Sequence, residues 1–399
     1  MVNTVSVEQG RTAGARQGIV LLLASVMPIM AIISLVPVLP LLLEEFGDVA
    51  GAEVLVPIAL TIPALCVALL SPVAGWLADR VGRKLLLVAA LLLYAGFGII
   101  PWFLDDLMQI IAARVALGTT EAVIMTVATT LIGDYFEGER REKWIALQVA
   151  VGSLAAIALI AIGGGLGEVF GSRGPFLLYL LAIPVAFAAA AILFEPQVRQ
   201  GQVDAGAIAF PYRAVLPLIA TTLGVGILFY TVIVQLGPVL GLSGPVSPGM
   251  IGAIGAAANI CVGLGTFIFN RLSAHAGPRL LTLGLVCAAA GYTGIALSGA
   301  LLPIALFSCL VCIGSGILLP NMLTWTMRHL PAAMRGRGTG MWTGAFFLGQ
   351  FLAPLMTVGV MRATGGLAPA LLAYAAVIAA GAVLTAFLLN RQPQSDLPA

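Results

Sequence analysis

Between two long apolar stretches stands GWLADRVGRK, Gly75 to Lys84. It concentrates charge in a chain that has little, with Asp79, Arg80, Arg83 and Lys84 inside six residues. Asp79 falls where the preceding apolar helix must end, Gly82 permits a tight turn, and Gly75 permits close approach of a neighbouring helix. Outward from this loop, 399 residues carry only 19 Lys plus Arg and 17 Asp plus Glu, 9% of the chain. Soluble domains carry about 25%. With 60% hydrophobic residues and a mean hydropathy of +1.09, there is more apolar side chain than a core of this size can hide, and the surplus must face lipid. A water-soluble globule is excluded. A net charge of +2 leaves no basic footprint for nucleic acid.

Charged and turn residues divide the chain into twelve apolar segments, at 18–41, 54–76, 85–104, 108–131, 144–167, 175–194, 214–240, 248–269, 280–300, 303–326, 340–361 and 367–389. Each approaches or exceeds the roughly 20 residues that a helix needs to cross a bilayer. The first is read as a span and not as a removable signal, because it is too long for a signal core and contains Pro28, Pro37 and Pro40. Placing the N-terminus in the cytoplasm puts 16 of the 19 bases on that side, with Arg173 and Arg362 outside and Arg114 within a span. Both termini are therefore expected in the cytoplasm, and the short loops point to a bacterial inner membrane.

A shift of 195 residues carries Gly82, Leu85 and Leu86 onto Gly277, Leu280 and Leu281, and Arg140 onto Arg335. The expected architecture is an all-α polytopic membrane protein of two pseudo-symmetric six-helix bundles, 1–195 and 214–399. A cytoplasmic linker, 196–213, with Pro196 and Pro211, joins them. Repeats of this kind hold a substrate site near the bilayer midplane and rock about it.

GWLADRVGRK resembles the signature loop of the major facilitator superfamily, G-x-L-x-D-R-x-G-R-K, and the whole layout is similar to the twelve-helix members, most like the drug:proton antiporter-related branch. That resemblance implies the family's fold and a conformational gate built from Gly75, Asp79, Arg80, Gly82, Arg83, Lys84 and Asp134. In it Asp79 sits near a helix N-terminus, Arg80 pairs with Asp134 after the fourth helix, and the loop latches the halves in the outward-facing state. The second-half counterpart, NRLSAHAGPR (270–279), keeps Gly277 and Arg279 but has Ala274 where Asp79 maps, so a weaker latch is expected there.

The fourth span, ARVALGTTEAVIMTVATTLIGDYF, holds Arg114 and Glu121. A charge at the centre of a span costs about 2.5 to 3.5 kcal/mol on insertion scales and by default marks function. Seven residues are close to two helical turns, so Arg114, Gly118, Glu121 and Met125 form one stripe, its two charges about 10 Å apart along the axis and not in direct contact. Arg114 and Gly118 resemble the family's R-x-x-x-G motif, whose Arg is implicated in proton coupling in a fold where helices 1, 4, 7 and 10 line the cavity. Desolvation would favour the neutral form of Glu121 and Arg114 the ionised one, a balance that substrate or water could tip. Glu121 is thus the expected proton carrier, the alternative being a structural partner of Arg114 or of the Thr119 or Thr120 hydroxyl, and between Asp204 and Asp396 there is no other acid to compete. The fifth span departs from the antiporter pattern, with Ile160 and Ala161 where a Gly-Pro precedes the Gly-Gly.

Met125, Tyr230, Gln235, Asn321, Trp325 and Gln350 are the expected substrate contacts. All are neutral, which suits an amphipathic or aromatic small molecule with at most one charge. The five Cys (66, 261, 287, 309 and 312) lie in apolar stretches and read as small buried hydrophobes. His275 and His329 lie in polar loops. No metal site, cofactor or catalytic set is expected. The leading reading is a monomeric secondary active transporter in the lipid bilayer, working by alternating access and exporting a lipophilic small molecule against protons in the manner of multidrug efflux. Its rivals are proton symport of an organic monoanion anchored on Arg114 and, from another class, a channel or non-transporting sensor.

Overall fold

A computed structural model describes residues 13–196, 211–331 and 334–391. The expected linker, 196–213, falls largely outside the described residues. Those described form helices throughout, as long runs of Leu, Ala, Val and Ile must where lipid offers the backbone no hydrogen bonds. The first span is α1 (Ala15–Ile33), a 3-10 turn (Val36–Val38) and α2 (Leu39–Glu45). There follow α3 (Ala52–Val81), α4 (Arg83–Ile99), α5 (Leu107–Tyr135), α6 (Gly138–Phe170), and an eleven-residue 3-10 stretch (Gly171–Leu181) running into α7 (Ala182–Ile192). The later part has α8 (Tyr212–Val234), the short α9 (Leu236–Leu240), α10 (Pro248–Leu272), α11 (Pro278–Leu297), α12 (Leu301–Arg328), α13 (Arg335–Thr364) and α14 (Leu367–Arg391).

Eleven helical stretches among the described residues are long and apolar enough to cross a membrane, and one of them, Gly138–Ile192, has 55 residues. That is about 80 Å of helix, far more than one crossing needs. Gly171, at φ +69°, ends α6, and the chain doubles back so tightly that a Cβ on Gly174 would collide with the Leu166 carbonyl. This stretch crosses twice, and the twelve expected passes are present. Side chains such as Leu69, Phe187 and Val377 stay 64 to 73% exposed on the outer surface, where only lipid suits them.

Packing explains the order. Helices α1 to α7 pack chiefly on one another, α8 to α14 likewise, and the groups meet along two seams, α6 with α10 and α3 with α13. At the first seam Gly164 and Gly252 let the backbones touch, and the Glu168 carboxylate accepts from the Gly249 N–H at 2.9 Å. At the second, Arg362 pairs with Glu53. Glu53 begins the 30-residue helix that Gly82 terminates, so the seams close at the end of the bundle opposite GWLADRVGRK.

Candidate functional site

The GWLADRVGRK loop, the expected gate, is built on a glycine. Gly82, at φ +100°, stops α3 and starts α4 in a single residue, a conformation that a side chain would strain. It also faces the Glu195 carboxylate, which a Cβ there would approach to 3.3 Å. Glu195 accepts from the backbone N–H groups of Arg83 (2.6 Å) and Lys84 (2.9 Å), so a carboxylate satisfies the free donors at the positive end of α4.

Arg83 then takes both acids. One guanidinium nitrogen bonds Asp79 at 3.0 Å and the other bonds Asp134 at the end of α5. The resemblance gave Asp134 to Arg80. Arg80 instead stays exposed on the last turn of α3, its guanidinium 4.0 Å from the Trp76 ring centroid. The turn at Gly82 is the reason: it points the first residue of α4, not the last turn of α3, toward α5. Gly75 has the methyl of Thr126 3.8 Å from where its Cβ would lie, an ordinary contact that does not itself demand glycine.

The counterpart loop is held without an acid. Asn321 of α12 donates to the Gly277 carbonyl at 3.0 Å and accepts from the Gly277 N–H at 2.7 Å, while Arg328 donates to the carbonyls of Ala276 and Ser273. Trp325 packs on the same glycine. The weak loop expected from Ala274 is ordered by a neutral amide, and Asn321 and Trp325, expected at the substrate site, serve this loop because they lie in the last turns of α12.

On the gate side of the seams is a cavity of about 550 Å³. Of the expected contacts, Met125, Tyr230 and Gln350 line it. Gln235, Asn321 and Trp325 do not, and Gln235 caps the end of α8. Its first-half wall has a polar set in which Gln148 donates to Ser25 at 2.7 Å and to Thr129 at 3.0 Å. Its second-half wall is aromatic, with Phe229, Tyr230, Phe346 and Phe347. None of the lining residues carries a formal charge. Phe229, Phe346, Phe347 and Gln148 were missed in the sequence, although Gln148 is a polar residue inside an apolar span and could have been singled out.

Arg114 and Glu121 lie deeper than Met125 on α5, and neither is exposed. Arg114 donates to the carbonyls of Ala59 (2.9 Å), Leu60 and Ala31 and to the Tyr179 hydroxyl, which itself donates to Ala31. These acceptors are available for local reasons. Pro63 has no N–H to reach back to Ala59, and Ala31 lies in the last turn of α1, where carbonyls lose their helical partners. Gly118 completes the fit, since a Cβ there would meet the backbone of Pro63 at 2.6 Å. Glu121 has none of this support: among the described residues neither carboxylate oxygen has a hydrogen-bond partner.

Helices long and apolar enough to span a membrane, two seams closed at one end and a central cavity toward the other define an integral membrane protein built around an internal site. The profile of the Major Facilitator Superfamily matches residues 21–354, and the chain belongs to that superfamily. It is 26% identical over 173 residues to the multidrug transporter protein MdtP of Bacillus subtilis, covering 43% of this chain and 31% of the relative. It is 32% identical over 105 residues to protein spinster homolog 3 of Danio rerio, covering 26% and 20%. The chain thus spans only about a third or less of the length of these relatives. The fold is similar to a crystal structure of a bacterial homologue of the human lysosomal transporter Spinster, at a TM-score of 0.76 and 17% identity, covering 96% of this chain and all of that one.

Proposed function

We propose that this chain is a proton-coupled exporter of a lipophilic or amphipathic small molecule, with Glu121 as the proton carrier. The observation that carries the reading is the pair formed by an uncharged cavity and, one helical turn deeper from its Met125, a fully buried carboxyl with no hydrogen-bond partner among the described residues. An ionised carboxylate in such a place is costly, while a protonated one is tolerated. Glu121 therefore suits a group that holds a proton while the site is closed off and releases it when water or substrate arrives. The halves, 1–195 and 214–399, rock about the cavity; the gate loop and both termini face the cytoplasm; the setting is a bacterial inner membrane; and the working unit is a monomer. The multidrug relative supports export, and the spinster relative leaves room for an amphipathic substrate of another kind.

The symport of a monoanion on Arg114 finds no support, because that guanidinium is spent on three carbonyls and a hydroxyl and does not line the cavity. The experiment is substrate-driven pH change in proteoliposomes. Glu121→Gln should abolish the coupled proton movement while equilibrium binding of substrate persists. Proton movement at the original rate in that variant would remove Glu121 from the mechanism.

A further inference from the structure

The second-half wall of the cavity is a stack of rings with an unanswered polar atom at its edge. Phe346 of α13 lies parallel to Trp342, with centroids 5.6 Å apart and planes 9° apart, and nearly parallel to Phe229 of α8, at 6.2 Å and 22°. Tyr230 closes on Phe346 at 5.1 Å. One turn further along α13, on the same face, Gln350 lines the cavity. It is 4% exposed, and its Oε1 has no hydrogen-bond partner among the described residues. The polar groups opposite are already engaged, Gln148 with Ser25 and Thr129, and Asn259 with the Gly255 carbonyl. A buried acceptor without a donor is costly to leave so, and a ligand that brings one recovers that cost. An aromatic ring system set against this wall meets Phe346 and its neighbours in the offset or edge-to-face geometry that aromatic pairs favour. A cavity of about 550 Å³ suits a drug-sized molecule.

We infer that the cavity selects a flat aromatic molecule bearing an N–H or O–H donor, which packs against Phe346 and donates to Gln350 Oε1. The inference rests on this cavity being the substrate site of the transport reading, and it is tested by binding alone. Acridone is flat and uncharged and has one N–H; 10-methylacridone differs by replacing that hydrogen. Equilibrium dialysis against the purified full chain should show acridone binding about five- to tenfold more tightly than 10-methylacridone. Gln350→Met, of similar volume, should erase that preference by weakening acridone alone, and Phe346→Leu should weaken both probes by a similar factor.

Equal affinities in the unaltered protein overturn the role of Gln350 without recourse to a variant, as does a preference that survives Gln350→Met. Unchanged affinities in Phe346→Leu overturn the contact with Phe346, and failure of both probes to bind overturns the ligand class. If acridone binds as expected and no proton-linked transport of it is found in proteoliposomes, the inference stands and the transport reading fails. Proton-linked transport of another solute, with acridone unbound, gives the converse.

Discussion

Arg114 and Glu121 stand two turns apart on one helix, and their surroundings divide their roles. Arg114 holds α1, α3 and the stretch before α7 together through the Ala59 and Ala31 carbonyls, which Pro63 and the end of α1 leave unpaired, the Leu60 carbonyl and the Tyr179 hydroxyl. Arg114→Lys replaces a planar fork with a single ammonium that cannot reach all four acceptors. It should lower stability by about 2 to 4 kcal/mol, from two or so buried groups left without partners, and the check is a thermal or denaturant melt of the purified protein. Glu121→Gln leaves no such hole and should move the melt little while it removes proton coupling. A Glu121→Gln protein destabilised as much as Arg114→Lys would mean that Glu121 is a structural partner. The stripe itself was legible in the sequence, since charge in an apolar span and a seven-residue spacing need no tertiary information. That Arg114 has four acceptors and Glu121 no partner among the described residues was not, because the acceptors come from residues 54 to 83 positions away.

At the scale of elements, the proposed gate is a junction of α3, α4 and α5 whose centre is Arg83. Removing its charge should matter more than removing that of its neighbour: Arg83→Gln should slow transport severely and Arg80→Gln mildly, as initial rates in proteoliposomes would record. Asp79→Asn should also slow transport while leaving equilibrium affinity nearly unchanged, because the loop acts on the balance of states and not on the cavity. Glu195→Gln, which weakens the carboxylate at the start of α4, should cost about 0.3 to 1 kcal/mol in stability. The loop was legible as a charged turn between two helices because its residue types and spacing are local. Which base takes Asp134 was not, since the turn at Gly82 decides which residue faces α5, and Glu195 lies 111 or more residues away from its partners.

For the whole molecule, the two seams close at the Glu53 end and leave the cavity on the side of the gate loop. Gly252 is one of the close points of this closure, where a Cβ would come within 2.8 Å of the Ile160 carbonyl and 3.0 Å of Gly164. Gly252→Leu should prop that seam open and shift the population away from the state seen here. A cysteine at position 149 on the cavity wall should then react more slowly with a water-soluble maleimide, and one at position 53 faster; unchanged rates would place the pivot elsewhere. The exposed ion pair of Arg362 with Glu53 should contribute only about 0 to 1 kcal/mol to this closure, as a double-mutant cycle on labelling rates would show.

The amino-acid sequence by itself determined the membrane, the twelve crossings, the charged turn at Gly82 and the charged stripe of α5, since each follows from composition, period or local spacing. Tertiary structure alone decided which polar residues meet. Depth along a helix and rotation about its axis depend on how neighbouring helices tilt and pack. Asn321 and Trp325, polar residues in an apolar span like Gln350, therefore end at the counterpart loop, while Gln350 reaches the cavity. The same dependence gathered Phe229 and Phe346, from helices more than a hundred residues apart in sequence, into the wall on which a substrate would lie.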